Sequence, residues 1–277
     1  MGNVVRLQSL LERRANTTTS SSADSARYTC QDCGRTVEPI QIQMLGQVRW
    51  VRAVCPCRWE RDAAEEAKRR EAERQTKIDR LFNLADLGPR FAECTFETWV
   101  ERKGSERCHE LALIYAQSFD EHVKRGDGLL LMGEPGNGKS HLAAAIVNTL
   151  VRNGRSCIFR SVPALLKKLQ ETYREGSRVT ESEVLAVLQD ADLLVLDDLG
   201  AEKVTEWAES TLYFIVDERY RWKKPLVVTT NCDLEVLEER IGTRTIDRLL
   251  EMCVLVENRA SSYRRERAKA RLGVRRA

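Results

Sequence analysis

The chain has 277 residues, of which 42% are apolar and 31% charged, with only 6 prolines. That mixture can bury a core and excludes a disordered or collagen-like chain, and no run approaches the roughly 20 apolar residues of a membrane-spanning helix. The formal net charge of +3 hides an asymmetry, because Arg259, Arg264, Arg265, Arg267, Lys269, Arg271, Arg275 and Arg276 stand against Glu266 alone at the C-terminal end. Such an end suits phosphate contacts, or is simply solvated.

The first residues, MGNVVRLQSLLERRANTTTSSS, contain no apolar stretch of signal-peptide type, and Arg6 stands where a myristoylation signal wants Ser or Thr. The expectation is a cytoplasmic protein without a membrane partner, opening with a flexible lead over 1–27. Nine cysteines in that setting argue against a disulfide framework and raise the question of metal. Residues 28–57 read as a small module. Cys30 and Cys33, then Cys55 and Cys57, form two close pairs, and the β-like pieces Gln41–Met44 and Val48–Val51 between them suggest a hairpin. Four thiolates are a full tetrahedral set for structural zinc (Zn²⁺), leaving no open position for catalysis. The competing reading is four incidental reduced cysteines, since Cys94, Cys108, Cys157, Cys232 and Cys253 are scattered singly. Residues 58–84 open with eight basic and seven acidic side chains up to Arg80 and almost nothing to bury, which predicts an exposed helical linker.

From about 85 onward, short apolar β-rich runs alternate with helical patterns, the signature of an α/β fold with a parallel sheet. The apolar run Leu129–Met132 leads into Gly133-Glu134-Pro135-Gly136-Asn137-Gly138-Lys139-Ser140 and then a helix beginning at His141. This is G-x-x-x-x-G-K-S in its strand–loop–helix setting, where backbone amides and the helix N-terminus cradle phosphates. Lys139 is expected to reach the β- and γ-phosphates of ATP, and Ser140 to hold Mg²⁺. The strand Ala191–Asp198 ends in Asp197 and Asp198, a metal carboxylate and a water-activating carboxylate in the required order. Asp198 is shorter than the Glu common at that place. The strand Pro225–Thr230 ends at Asn231, suited to the lytic water or the γ-phosphate, or alternatively a plain turn residue. Arg244 and Arg248, four apart, share a helix face and either reach a neighbouring subunit's nucleotide or pair on their own surface. After the strand Met252–Glu257, an arginine of Ser261-Ser262-Tyr263-Arg264-Arg265 can fold back to the γ-phosphate.

GEPGNGKS, LLVLDDLG, VVTTN, TRTIDRL and SSYRR, in this order and with these gaps, resemble the AAA+ replicative helicase loaders of DnaC/DnaI type. The lead-in Leu87-Gly88-Pro89-Arg90-Phe91 and Thr95-Phe96-Glu97 is similar to the family segment that borders the adenine. The resemblance covers about 85–277, and 28–57 more loosely. It implies a five-stranded parallel sheet in the AAA+ order flanked by helices, without a full C-terminal lid, and an ATPase that self-associates through its ATP sites. The partners it implies are a DnaB-type replicative helicase and single-stranded DNA. By the same match Arg248 becomes the trans finger and Arg264 the sensor arginine, and the DNA-facing helical insertion falls on Pro163–Arg174. Lys167 and Lys168 are then backbone contacts and Tyr173 a stacking group, against the plainer reading of a solvated amphipathic helix. Two alternatives stay open: an IstB-type transposition helper that remodels DNA for a transposase, and a nucleotide-gated adaptor whose zinc module does the work.

Overall fold

The computed structural model describes residues 19–20, 23–44, 47–81 and 87–271. Most of the expected lead over 1–27, the last residues of the linker, and Arg275 and Arg276 of the basic end lie outside the described residues. The chain divides into two compact units, one up to Glu73 and one from Arg74 onward.

The N-terminal unit is built on short antiparallel pairings. Strands β1 (Thr19–Ser20), β4 (Ile40–Met44) and β5 (Gln47–Val51) form one sheet, with β5 central and Ile40 and Thr19 both opposite Val51. Helix α1 (Ala23–Ala26) leads into a second hairpin, β2 (Tyr28–Thr29) and β3 (Thr36–Val37). Its turn is closed by Gly34 N–H donating to Cys30 O at 2.9 Å and Cys30 N–H donating to Arg35 O at 2.8 Å. The charged stretch forms helix α2 (Pro56–Leu81), which starts two residues before the expected linker. Pro56 fits the first helical position because its missing N–H would have no partner there. Intermixed signs support the solvated length through Arg70–Glu66 at 2.6 Å and Arg69–Glu73 at 3.7 Å, pairs four residues apart.

The C-terminal unit carries a five-stranded sheet of order β10-β6-β9-β8-β7, with every pairing parallel. Its strands are β6 (Gly128–Met132), β7 (Cys157–Ser161), β8 (Leu193–Leu199), β9 (Leu226–Thr230) and β10 (Cys253–Glu257). Parallel strands need covering helices on both faces, and the residues alternate accordingly. Leu130, Leu194, Leu196, Leu226 and Val228 pack on one face against α7 (Val162–Glu171), α8 (Glu181–Asp190), α9 (Glu206–Arg221), α10 (Leu234–Ile241) and α11 (Thr243–Met252). Leu129, Leu131, Leu193, Val195 and Val227 face the opposite way, against α4 (Glu106–Gln117) and α6 (Lys139–Arg152). Three short or terminal helices complete the unit: α3 (Gly88–Ala92), α5 (Phe119–Arg125) and α12 (Tyr263–Arg271).

One buried cation pins the lower edge of this sheet. Arg219 of α9, 1% exposed, donates to Leu188 O at 2.6 Å, Ala191 O at 3.2 Å and Pro225 O at 2.6 Å. A charge so buried persists only when its donors are satisfied, and here neutral carbonyls at the entries to β8 and β9 do it. Among the described residues no helix is long and apolar enough to cross a membrane.

Candidate nucleotide and metal sites

The C-terminal ends of β6, β8 and β9 meet at one cleft of about 430 Å³, whose lining includes Gly136–His141, Asp198, Asn231 and Arg264. Ligands favour this edge of an open α/β sheet, and the local sequence explains the shape. α6 begins at Lys139 behind Gly138, and no side chain caps its N-terminus. The contrast within the same unit is plain, since Thr180 caps α8 in a reciprocal box with Glu183, and Asp233 caps α10 through Val236 N–H. The first amides of α6 therefore remain available to an anion, with the positive end of the helix dipole behind them. Gly138 has φ of 106°, and a Cβ there would lie 2.5 Å from the Trp99 ring; at Gly133, φ 137°, it would lie 2.2 Å from Asn258 O. Only glycine meets both the conformation and the contact at these two positions.

Lys139 is 4% exposed, and its Nζ donates to Gly133 O at 2.7 Å, Glu134 O at 3.0 Å, Asn137 Oδ1 at 3.2 Å and Asn231 Oδ1 at 2.8 Å. Burial pulls its pKa down to about 8, against the opposing pull of Asp198 and Asp197. Asp197 is buried too, and burial raises its pKa while hydrogen bonds from Thr229 and Ser140 pull the other way. Thr229 links the two acids: its Oγ1 donates to Asp197 Oδ1 at 2.6 Å and accepts from Asp198 N–H at 2.9 Å. Asp198 holds a left-handed backbone, φ 57°, where β8 and β9 slip register between Leu196 and Leu199. Its Oδ1 accepts from Asn231 Nδ2 at 3.1 Å, so Lys139, Asn231 and Asp198 form one continuous polar chain. A hydroxyl and a carboxylate in mutual contact, Ser140 and Asp197, make an all-oxygen donor set of the kind magnesium takes.

Residues outside any motif complete the cleft. Asn137 and Asn258 exchange bonds, Nδ2 of each donating to the backbone O of the other at 2.7 and 3.2 Å. Tyr263 N–H donates to Gly136 O at 2.9 Å, which brings Arg264 to the rim. Arg102 donates to Asn137 O and to Ser261 O and lies 5.4 Å over the Tyr263 ring. Trp99 stacks on His109 with centroids 5.7 Å apart. His141 is held through Nε2, which donates to Thr95 O at 2.9 Å, and burial lowers its pKa. Sequence spacing alone had no means of finding Trp99, Arg102 or Asn258, and Thr229 stands beside a second threonine, Thr230, so that only the strand pairing distinguishes it.

The remaining expected residues lie elsewhere. Arg248 Nε donates to Asp217 Oδ1 at 3.1 Å, its NH1 lies 3.7 Å from Glu251, and the guanidinium sits 4.4 Å over Tyr220. It is thus paired on its own surface, with Arg244 exposed nearby on the same helix. Lys167 is exposed and Lys168 half-buried on α7; Tyr173, 57% exposed, accepts from Trp207 Nε1 at 3.3 Å.

In the N-terminal unit, the four thiols of Cys30, Cys33, Cys55 and Cys57 lie within 4.8 Å of one another. Cys30–Cys57 are separated by 3.6 Å and Cys33–Cys55 by 3.5 Å, too far for disulfides. They are close to the sulfur–sulfur edge of about 3.8 Å that a tetrahedron with 2.3 Å Zn–S bonds requires. Backbone amides of Cys33 and Asp32 lower the Cys30 pKa to about 7, whereas the Cys55 thiol and burial push Cys57 up. The cluster fits a metal of zinc's type.

A parallel sheet with a glycine-rich loop after β6, next to the edge strand β10, acids on β8 and an asparagine just past β9 defines a nucleotide-binding protein of AAA+ type. The chain matches the IstB-like ATP binding protein family over residues 63–271 and belongs to that family, within its DnaC/DnaI-type branch. It is 31% identical over 191 residues to the replicative helicase loader DnaC of Escherichia coli K12, covering 69% of this chain and 76% of that protein. A crystal structure of the DnaC helicase loader superposes with a TM-score of 0.56 at 25% identity, over 62% of this chain and 100% of that one. A crystal structure of DnaI shares the fold, with a TM-score of 0.53 at 24% identity over 61% of this chain and 93% of that one.

Proposed function

We propose that this protein hydrolyses ATP to assemble on, and load, a ring-shaped DnaB-type replicative helicase onto single-stranded DNA. The similarity to DnaC across most of both chains is the observation that carries it, and the cleft supplies the chemistry. Lys139 and the uncapped amides of α6 bind the phosphates. Ser140 and, through water, Asp197 would hold Mg²⁺, which when bound neutralises charge on the β- and γ-oxygens. Asp198 accepts the proton of the attacking water at a carboxylate oxygen while Asn231 fixes that carboxylate and the water. Arg264 offsets charge on the γ-phosphate in cis, and Arg248, released from Asp217, does so in a neighbouring subunit. Lys167, Lys168 and Tyr173 contact the DNA strand. In this reading 28–57 is a zinc module, 58–84 a linker and 85–277 the ATPase domain.

The test is loading of a purified DnaB-type helicase onto circular single-stranded DNA. ATP and the wild-type protein should leave rings on the circle, and Lys139→Ala should not. The family match favours one second reading, a transposition helper of IstB type. ATP-dependent stimulation of a transposase with no helicase retained on DNA would overturn the loader assignment in its favour.

A further inference from the structure

A second cleft, of about 570 Å³, opens on the cysteine module and is lined by Tyr28, Gln31, Arg52, Arg58, Trp59 and Asp62 among others. Its size falls in the roughly 300–1,000 Å³ range of ligand sites. Of the two arginines that line it, Arg58 is paired with Asp32 at 3.3 Å. Arg52 differs. It lies 5.3 Å over the Tyr28 ring and, among the described residues, makes no ion pair. The ring beneath it is fixed by the Tyr28 hydroxyl, which donates to Ala53 O at 3.0 Å. Trp59, on the first turn of α2, leaves 37% of its surface exposed at the same cleft.

A guanidinium without an ion-pair partner over the Tyr28 ring, in a cleft that also exposes Trp59, combines a phosphate donor with a stacking surface, the two elements of single-strand recognition. An acidic peptide would satisfy the charge but leave both rings unused. We propose that this cleft binds a short stretch of single-stranded DNA without ATP, with a phosphate at Arg52 and a base on Trp59. The proposal deepens the reading of single-stranded DNA as the loaded strand, and it is tested apart from the ATP site.

The experiment measures binding of a fluorescent oligothymidylate to the full-length, zinc-loaded protein without nucleotide, in wild type and in a Lys167→Ala/Lys168→Ala background. Trp59→Ala should weaken binding about 5- to 150-fold, with Trp59→Phe restoring most of it. Arg52→Ala should weaken binding and flatten the salt dependence by about 0.7 in the log–log slope, the share of one phosphate. Arg61→Ala, exposed on the same helix but outside the cleft lining, should bind close to wild type, and equal metal content in all variants verifies the fold. Wild-type affinity in both Arg52→Ala and Trp59→Ala overturns the proposal. So does displacement of the oligonucleotide by an oligo-aspartate as readily as by unlabelled DNA, which would assign the cleft to an acidic peptide. Loading can fail while this binding persists, and the reverse, so the two readings separate.

Discussion

Lys139 sits among four protein oxygens with its pKa held near 8 by burial, below the ordinary lysine value. The unfolded chain binds the proton more tightly, so the empty protein should gain stability as pH rises from about 8 toward the ordinary lysine range. ATP binding has the opposite sign, because phosphates favour the charged amine and must restore its proton once it is lost. Affinity for ATP should be level up to about pH 8 and then fall by up to about tenfold per unit, a break absent from Lys139→Arg, as titration with a fluorescent ATP analogue would show. Asp198 carries the second residue-scale expectation. Asp198→Asn tolerates the left-handed backbone and keeps the Asn231 side occupied, so ATP binding should survive while turnover falls by at least about 100-fold. Unchanged hydrolysis would remove Asp198 as the base. These residues were legible because phosphate chemistry demands fixed types at fixed spacing along one loop and one strand end. Thr229 was not legible, since its link between Asp197 and Asp198 exists only once β8 and β9 are paired.

At the scale of elements, the apolar runs of β6, β8 and β9, alternating along the chain with helical patterns, foretold a parallel sheet covered by helices, and the charged run foretold α2. The cysteine pairs foretold a cluster, which the β2–β3 turn and the start of α2 bring together. With so little apolar surface in that unit, a metal would supply much of its folding free energy. Purified protein should contain about one zinc per chain, and Cys30→Ser or Cys55→Ser should each lower that ratio and the melting temperature of the N-terminal unit. Negligible metal in protein prepared without chelators would return the four thiols to the incidental reading. What spacing could not convey is how segments far apart in sequence converge. Trp99 against Gly138, Arg102 between Asn137 and Ser261, and Arg219 under β8 and β9 are products of packing, and no local pattern announces them.

At the scale of the whole molecule the question is whether one subunit completes another's site. Arg248 was legible as one face of a helix, but spacing could not say what that face meets. The isolated chain pairs it with Asp217 and Glu251 on its own surface. Arg248→Ala should bind ATP normally and lose the hydrolysis stimulated by assembly or DNA, a term worth roughly 10³-fold or more for an arginine supplied in trans. Mixed with Lys139→Ala protein, which keeps Arg248, it should regain turnover that neither variant shows alone. A mixture as inactive as its components, while both still assemble, would assign Arg248 to its surface pairing.

The reciprocal bonds between Asn137 and Asn258 make a polypeptide segment 121 residues away behave as a second wall of the phosphate loop. Whatever bends that loop must also tug on the stretch leading into α12, where Arg264, Arg265, Arg267, Lys269 and Arg271 follow within a few turns. The opening turn of this basic helix is therefore tethered to the loop that Lys139 follows, and a fluorescent label beside Arg264 should change its signal when ATP is added.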